Sequence, residues 1–217
     1  MKDPYPVELI IFDLDGTLAD TRADLTRAVN YALGRLHLPE LPMETVCQYV
    51  GHGVQTLLTA ALGPEHQDRL PEAVRLFQAY YAAHLLDETR LYPGVQETLE
   101  HFRKKRKAII TNKPFGFTLT ILEGLGIGDH FDLVLGGDST TERKPHPEPA
   151  QKVLTTLRTD PRRAVVVGDS PADIEMAKGA GVYSVAVTYG LRPRQELLQA
   201  GPDLLLDTFP DLKTALI

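Results

Sequence analysis

Two aspartates, Asp13 and Asp15, come at the end of an apolar run in the stretch "IIFDLDGTLAD". Residues i and i+2 of an extended chain point to the same side, so we expect both carboxylates to face one spot at the end of a strand. Neighbouring carboxylates in a poorly solvated place are costly unless they bind a cation or share a proton. The alternative is a plain Asp-Gly turn, which accounts for Asp15 and Gly16 but leaves Asp13 unexplained.

Two later segments carry groups that can hold an anion. The segment "AIITNK" ends a predicted strand with Thr111 and Asn112, whose hydroxyl and backbone amides suit an anion. A polar turn before the next helix would use the same residues. In "ERKPHPEP", Pro145 restricts Lys144 to an extended backbone, which would aim one cation. The alternative is a solvated charge in a stiff, proline-rich loop.

A second pair of acids occurs in "AVVVGDSPADIEMA", where Asp169 ends a strongly apolar run and Asp173 follows four residues later. Open α/β sheets bind their ligands at the carboxyl ends of strands, which is where Asp169 would lie. Helix capping and the helix dipole account for one of these acids, but not for both together with the pair Asp13 and Asp15. Several carboxylates that converge at strand ends predict a site for Mg²⁺.

Short apolar runs carry these residues, and their nearly continuous hydrophobicity is typical of strands buried on both faces of a parallel sheet. Helix-like stretches alternate with the runs from about Tyr92 to the C-terminus, which predicts an α/β fold with a doubly wound, Rossmann-like parallel sheet. The runs are "VELIIFDLD", "KAIITN", "LVLGG", "RAVVVGD", "YSVAVT" and "DLLLD".

Residues 21–88 interrupt this alternation. In "TRADLTRAVNYALGRL" the apolar residues recur at steps of three and four, as in an amphipathic helix, and the segments that follow keep this helical character. We therefore predict an α/β core domain formed by residues 1–18 and 89–217. Residues 19–88 are predicted to form a small α-helical cap domain inserted after the first strand.

The composition limits the classes of partner. Among 217 residues the net charge is −6, which disfavours a nucleic-acid partner. The single cysteine, Cys47, rules out an internal disulfide and fits a reducing cytoplasm. A start without a signal-like apolar stretch, and the lack of an apolar run long enough for a bilayer, predict a cytoplasmic protein with no membrane partner. A monomer and a homodimer are both compatible with the sequence.

Four segments, "DLDGTLAD", "TN", "KPHPEP" and "GDSPAD", resemble the motifs of haloacid dehalogenase-like (HAD) phosphatases in order and spacing. The resemblance extends over essentially the whole chain and includes the inserted cap. It implies that Asp13 is a nucleophile that forms an aspartyl-phosphate. It also implies that Asp15 is the acid that protonates the leaving group and then the base that activates water. Thr111 and Lys144 would grip the transferring phosphoryl group.

The same resemblance implies a Mg²⁺ ion held by Asp13, by the carbonyl oxygen of Asp15 and by Asp169, with Asp173 close by or acting through water. A carboxylate attacks phosphorus only when the charge of the phosphate is neutralised, which Mg²⁺ and Lys144 would do. The donors for the transition state would come from Thr111, Asn112 and the loop after Asp13, including Gly16 and Thr17.

Within the superfamily, "YVGHGVQTLL" and "GGDSTTERKPHPEP" resemble the phosphoglycolate phosphatase subgroup. Gly51 and Gly53 flank His52 just before a helix, so free backbone N–H groups there would receive a small carboxylate, and His52 would add a donor. The alternative is a simple turn between two helices. The expected substrate is a small phosphorylated metabolite such as 2-phosphoglycolate.

Other activities on the same fold stay open. They are a pyrophosphatase, a sugar-phosphate or nucleotide phosphatase, and a phosphotransferase of the β-phosphoglucomutase type. The mutase is disfavoured because "GHGVQTLL" contains no arginine to hold a second phosphate. A dehalogenase is disfavoured by the presence of Asp15, and a non-catalytic binding protein by the intact set of Asp13, Asp15, Lys144 and Asp169.

Overall fold

The computed structural model describes residues 4–217, and its centre is a parallel sheet of six strands. The strands of the chain are β1 Leu9–Phe12, β2 Ala19–Asp20, β3 Arg90–Leu91, β4 Arg106–Ile110, β5 Leu133–Leu135, β6 Ala164–Gly168, β7 Tyr183–Val187 and β8 Leu204–Leu206. In the main sheet they lie in the order β5-β4-β1-β6-β7-β8, and every neighbouring pair is parallel. Each of the six apolar runs thus forms one strand of this sheet, as the sequence predicts.

Helices connect the strands and surround the sheet. They are α1 Arg22–Arg35, α2 Met43–Tyr49, α3 Val54–Leu62, α4 Leu70–Ala83, α5 Val95–His101, α6 Phe115–Gly124, α7 Glu148–Thr156, α8 Pro171–Gly179, α9 Arg194–Ala200 and α10 Leu212–Ala215. Among residues 4–217, none of these helices is both long and apolar enough to cross a membrane.

The central strand β1 shows why its sequence is continuously apolar. All four of its residues are buried, but successive side chains point to opposite faces of the sheet. Ile10 and Phe12 pack into an apolar cluster that includes residues of α5 and α6. Leu9 and Ile11 pack into a second cluster with residues of α7 and α8. Helices therefore cover both faces, and the predicted doubly wound α/β fold is confirmed.

Helices α1 to α4 lie between β2 and β3, and we call residues 19–88 the helical insert. Strand β2 pairs antiparallel with β3, so the two connections of the insert to the sheet run side by side. Within the insert, Tyr31 of α1 stacks on Tyr80 of α4, with ring centroids 4.4 Å apart. The insert is helical between Arg22 and Ala83, while its description as a separate domain with these boundaries stays a prediction.

A buried carboxylate joins the two connections of the insert. Asp24, in the first turn of α1, accepts hydrogen bonds from the backbone N–H and the hydroxyl of Thr89, both at 2.8 Å. The N–H of Glu88 donates to the same carboxylate at 3.0 Å. These bonds join the start of α1 to residues 88 and 89, just before β3. The two ends of the insert are therefore fixed to each other.

Candidate active site

Two of the predicted acids, Asp13 and Asp169, follow the neighbouring strands β1 and β6, from which the chain continues in opposite directions across the sheet. Strands β4 and β5 lie on one side of β1, whereas β6 to β8 lie on the other. Asp13 directly follows β1 and Asp169 directly follows β6, the neighbouring strand. The N–H of Asp13 donates to the carbonyl oxygen of Val167 at 3.0 Å and thus extends the ladder by one bond. Open α/β sheets bind ligands in this crevice, at the carboxyl ends of the strands.

Three buried carboxylates converge at this point. Asp13, Asp169 and Asp173 each offer an oxygen, and these oxygens lie within 4.8 Å of one another. Burial, together with the charges of Asp173 and Asp169, raises the pKa of Asp13 well above its usual range, although Lys144 opposes the shift. Burial and the charge of Asp173 likewise raise the pKa of Asp169 to about 7. The group is short of positive charge, which a bound cation would supply.

Lys144 provides one cation to this group. Its Nζ lies 2.8 Å from Oδ1 of Asp13 and 2.7 Å from Oδ1 of Asp173. Burial lowers the pKa of Lys144, but the two carboxylates raise it more, so the pKa lies above its usual range. The side chain of Asp173 also accepts hydrogen bonds from the hydroxyl of Ser170 at 2.6 Å and from its N–H at 3.2 Å, which closes a capping box at the start of α8.

The side chain of Asn112 holds the backbone of Lys144. Its Oδ1 accepts from the N–H of Lys144 at 3.1 Å, and its Nδ2 donates to the carbonyl oxygen of Lys144 at 2.9 Å. The same Nδ2 donates to the carbonyl oxygen of Gly51, in the insert, at 2.8 Å. Both N–H donors of the amide are therefore used for protein contacts. Asn112 joins three segments here, and its direct contact with a substrate stays a prediction.

The carboxylate of Asp15 has partners different from those of Asp13. Its Oδ1 accepts a hydrogen bond from the hydroxyl of Thr21 at 2.6 Å and lies 3.0 Å from Nζ of Lys113. Its side chain is not part of the group of three carboxylates, and metal binding through its carbonyl oxygen stays a prediction. Asp13 and Asp15 therefore form ion pairs with different lysines, Asp13 with Lys144 and Asp15 with Lys113.

Thr17 and Gly16 shape the surroundings of Asp169. The hydroxyl of Thr17 donates to Oδ1 of Asp169 at 3.0 Å, and the N–H of Leu191 donates to Oδ2 at 2.7 Å. Gly16 has a φ of +85°, and a Cβ atom built on it would lie 2.2 Å from Oδ2 of Asp169. Only glycine allows both this conformation and this close approach. These contacts place Gly16 and Thr17 against a candidate metal ligand, and their contact with substrate stays a prediction.

A cavity lies between the carboxyl edge of the sheet and the insert. It is about 40 Å³ in volume. The sheet side contributes Thr111, which is buried and whose hydroxyl accepts from the N–H of Lys113 at 3.2 Å. The insert contributes Gly51 and Gly53, whereas the side chain of His52 is exposed and does not line the cavity. The other lining residues are Asp13, Asp15, Leu25, Val50, Val54, Leu57, Phe77, Tyr81, Asn112, Lys113, Pro114, Phe117 and Lys144.

Two contacts that the sequence does not predict hold the insert against the sheet. Lys113 donates to the hydroxyl of Tyr81, in α4, at 2.9 Å. Arg192, in the loop after β7, donates to the carbonyl oxygen of Gln48 at 2.7 Å and to that of Val50. Lys113 has a signal in the sequence, because it directly follows Thr111 and Asn112 at the end of β4. Arg192 has none, because only the folded chain brings its loop to the insert.

The donor set fits a hard divalent cation. Asp13, Asp169 and Asp173 contribute only carboxylate oxygens, which are the ligands that Mg²⁺ takes in proteins. Histidine and cysteine, which softer transition metals favour, are absent from this described group. Fold and site together are those of an α/β protein with a buried carboxylate group under a helical insert, at the sheet edge where such folds place their active sites.

Comparison with known proteins places the chain in one family. The family model for haloacid dehalogenase-like hydrolases matches residues 10–187. A phosphoglycolate phosphatase of Colwellia psychrerythraea is 39% identical over 218 residues, with 96% of each chain covered. That of Nitrosospira multiformis is 36% identical, with 95% of this chain and 94% of the relative covered. The crystal structure of a predicted phosphoglycolate phosphatase from Haemophilus somnus superposes with a TM-score of 0.91 at 35% identity, with 95% of this chain and 96% of that chain covered.

The chain therefore belongs to the haloacid dehalogenase-like hydrolase family, and within it the chain is a phosphatase. The resemblance drawn from the four sequence motifs is thereby confirmed. The residues of those motifs are the ones that the fold gathers at the ends of β1, β4 and β6.

Proposed function

We propose that the protein hydrolyses the phosphomonoester 2-phosphoglycolate in a Mg²⁺-dependent reaction, through an aspartyl-phosphate on Asp13. The observation that carries the proposal is the separation of the two acids of the first motif. Asp13 lies with Lys144 and the carboxylate group, whereas Asp15 lies with Lys113 and Thr21. Two neighbouring carboxyl groups in such different surroundings can take different roles, one as nucleophile and the other as acid and base.

Asp13 and Asp169 would hold Mg²⁺, together with the carbonyl oxygen of Asp15, and Asp173 would lie directly beside the ion or act through water. Bound Mg²⁺ neutralises the charge of the phosphate and so allows a carboxylate to approach phosphorus. The raised pKa values of Asp13 and Asp169 support such a site, because they reflect carboxylates that are crowded and buried without enough positive charge around them.

In the first step, a carboxylate oxygen of Asp13 forms a bond to phosphorus while the bond from phosphorus to the glycolate oxygen breaks. Oδ1 of Asp13 is held by Lys144 and by the N–H of Leu14 at 2.7 Å, so the carboxylate is oriented before substrate binds. Asp15 gives its proton to the departing oxygen, so that glycolate leaves as an alcohol. Lys144 and Thr111 would hold the oxygens of the phosphoryl group during the transfer.

In the second step, a water molecule attacks phosphorus and Asp15 takes up the proton of that water. The bond between phosphorus and the Asp13 oxygen breaks, phosphate is released, and Asp15 is again protonated for the next cycle. The small cavity supports the exclusion of other water during the first step, because it leaves little space between the insert and Asp13. We expect substrate entry to involve a movement of the insert away from the sheet.

The substrate assignment has two supports. The relatives that cover nearly the whole chain at 35–39% identity carry the name phosphoglycolate phosphatase. The cavity is narrow, and a compact ester needs a smaller displacement of the insert than a nucleotide or a sugar phosphate. The backbone N–H groups around Gly51 and Gly53 would receive the carboxylate of the substrate.

The test is phosphate release from a panel containing 2-phosphoglycolate, a sugar phosphate, a nucleoside monophosphate and pyrophosphate, with Mg²⁺ and with a chelator. We expect kcat/KM to be highest for 2-phosphoglycolate, by about tenfold or more, which corresponds to about 1.4 kcal/mol of preferential binding in the transition state. Chelation should abolish the activity. Equal rates on all esters would contradict the substrate assignment, and full activity with chelator would contradict the role of Mg²⁺. Conversion of β-glucose 1-phosphate to glucose 6-phosphate would favour a mutase instead.

A further inference from the structure

Lys113 is a buried cation that the proposed reaction steps do not use. It follows β4 at the active-site edge of the sheet, and its Nζ lies 3.0 Å from Oδ1 of Asp15. Burial lowers its pKa, but Asp15 and Tyr81 raise it more, so the pKa of Lys113 lies above its usual range. Burying a charged lysine costs free energy unless well-positioned partners compensate its charge. Asp15 and Tyr81 are these partners.

The backbone of Lys113 is anchored at the end of the sheet. Its N–H donates to the hydroxyl of Thr111 at 3.2 Å, and its carbonyl oxygen accepts from the N–H of Gly137 at 2.8 Å. The side chain then extends toward the insert, where Nζ donates to the hydroxyl of Tyr81 at 2.9 Å and lies 4.8 Å from the centre of that ring. The ammonium group therefore lies between one residue at the end of the sheet, Asp15, and one residue of the insert.

Tyr81 is itself held firmly. Its ring is buried in α4, stacked on Phe77 at 5.3 Å and in edge contact with Phe117 at the same distance. Burial raises the pKa of its hydroxyl to about 12, against the effect of Lys113, so the group stays a neutral phenol. The position of its oxygen follows the position of α4. A displacement of the insert would thus remove one of the two partners of Lys113.

Within residues 4–217, the polar side-chain contacts of Asp15 fall on one oxygen. Oδ1 receives both the hydroxyl of Thr21 at 2.6 Å and the ammonium group of Lys113. An oxygen that already accepts a hydrogen bond and faces an ammonium group is disfavoured as the carrier of the acid proton, so the proton of the acid form lies on Oδ2. The arrangement therefore sets both the rotation of the carboxyl group and the oxygen from which a proton departs.

We propose that Lys113 is the positioning residue of Asp15, and that its bond to Tyr81 makes this positioning depend on the insert lying against the sheet. The inference rests on the proposed function, in which Asp15 is the acid and base. As the bond from phosphorus to the leaving oxygen breaks, the proton on Oδ2 of Asp15 passes to that oxygen. With the insert displaced, Lys113 loses its bond to Tyr81, and its hold on Asp15 is weakened. Proton transfer is thus favoured when the insert lies against the sheet.

The test uses Lys113→Met and a series of substituted phenyl phosphates whose leaving groups differ in pKa, together with 2-phosphoglycolate. The quantity measured is kcat/KM, which reports the step that expels the leaving group. We expect the variant to lose about 10- to 100-fold on 2-phosphoglycolate, part of the range that a positioned acid contributes. On p-nitrophenyl phosphate, whose leaving group needs no proton, the loss should be less than about threefold. A plot of log kcat/KM against leaving-group pKa should become steeper.

Two further variants keep the test decisive. Tyr81→Phe keeps the ring and removes only the hydroxyl, so it should give an intermediate steepening even if Lys113→Met folds poorly. Lys107→Met is the matched control, because Lys107 is also a buried lysine of the β4 segment but donates to the carbonyl oxygens of Phe102 and Lys105. Its loss should lower stability without changing the slope.

Parallel losses across the whole series in Lys113→Met and Tyr81→Phe would show a merely structural role and overturn the inference. A rise in KM confined to 2-phosphoglycolate, with an unchanged slope, would make Lys113 a ligand of the substrate carboxylate and would overturn it as well. If the wild-type enzyme releases no phosphate from any ester, the proposed function fails and this inference fails with it. Activity of the wild-type enzyme with unchanged slopes in both variants refutes this inference alone.

Discussion

Replacement of Lys144 by methionine should destabilise the metal-free protein strongly, and more so at high pH. In the wild-type protein Lys144 is 4% exposed, and its Nζ lies within 2.8 Å of both Asp13 and Asp173. Methionine fills most of the volume of lysine, so the variant loses the charge–charge interactions but little of the packing. Removing one partner of a buried ion pair costs about 3–5 kcal/mol, because the remaining charge is left uncompensated.

Most of the lost stability should come from Asp13, whose charge is left without a compensating partner. Asp173 keeps the two hydrogen bonds from Ser170, whereas Oδ1 of Asp13 keeps only the N–H of Leu14. The pKa of Asp13 in the folded protein already lies well above the usual value of 3.8, and without the ammonium group it rises further. The folded state then binds more protons than the unfolded state above that value, so stability falls as the pH rises. We therefore expect a smaller loss at about pH 5.5 than at about pH 8.

The assay is equilibrium unfolding by urea in the presence of a chelator, at the two pH values, alongside thermal melts. A loss of this size should lower Tm by roughly 6–20 °C for a chain of this length. Lys152→Met is the control, because Lys152 is exposed and donates only to the carbonyl oxygen of Ser139. A loss below about 1 kcal/mol at both pH values would equal that of a surface ion pair and would refute the buried arrangement of Lys144.

Three other changes test the site. At a Mg²⁺ concentration of about a hundred times the dissociation constant, the wild-type protein should gain about 2.7 kcal/mol of stability in a thermal melt. Asp169→Asn should reduce this gain by more than half. An equal gain in the variant would exclude Asp169 as a ligand. Gly16→Ala should lower kcat/KM by about 100-fold or more, because its methyl group would lie 2.2 Å from Oδ2 of Asp169. The control Gly34→Ala, in α1 with nothing within 4 Å of the new atom, should leave kcat/KM unchanged. Arg192→Met removes two hydrogen bonds to the insert, so we expect faster limited proteolysis and about tenfold lower kcat/KM, whereas the control Arg194→Met should show neither. Equal proteolysis of the two variants would show that Arg192 does not hold the insert.

The sheet was predictable because each of its strands is buried on both faces. The runs around Ile11, Ile109 and Val166 are continuously apolar, and their side chains point alternately into the two clusters that the helices cover. The acids were predictable for a related reason. A carboxylate directly after a buried strand lies at the sheet edge, and parallel strands bring such ends together, so Asp13 and Asp169 meet although they are far apart in the chain.

The partners of Lys113 were beyond the sequence. The motif resemblance gives Lys144 a role beside Asp13, but nothing in the sequence places Lys113, just after β4, beside Asp15. That placement depends on the direction of the Lys113 side chain and on Tyr81, which belongs to the insert. These are packing outcomes of segments distant in the chain, and a pattern of residue types along the chain does not encode them.

The turn before α3 shows the same limit on a smaller scale. The glycines on either side of His52 predict a tight turn, and Gly51 and Gly53 do line the cavity with φ values of +112° and +87°. The direction of the side chain between them follows from these backbone angles, and in the structure it is exposed. A donor role for His52 therefore stays a prediction, as does contact of this backbone with a substrate.

The central claim is that Asp13 becomes phosphorylated during turnover, and trapping that state tests it most directly. Asp15→Asn keeps the nucleophile but removes the base that activates water in the second step. With Mg²⁺ and p-nitrophenyl phosphate, whose leaving group departs without a proton, the variant should gain one phosphoryl group, located by peptide mass spectrometry on Asp13. The double variant Asp13→Asn, Asp15→Asn should gain none. A phosphoryl group on another residue, or release of phosphate by Asp13→Asn at the wild-type rate, would contradict the account.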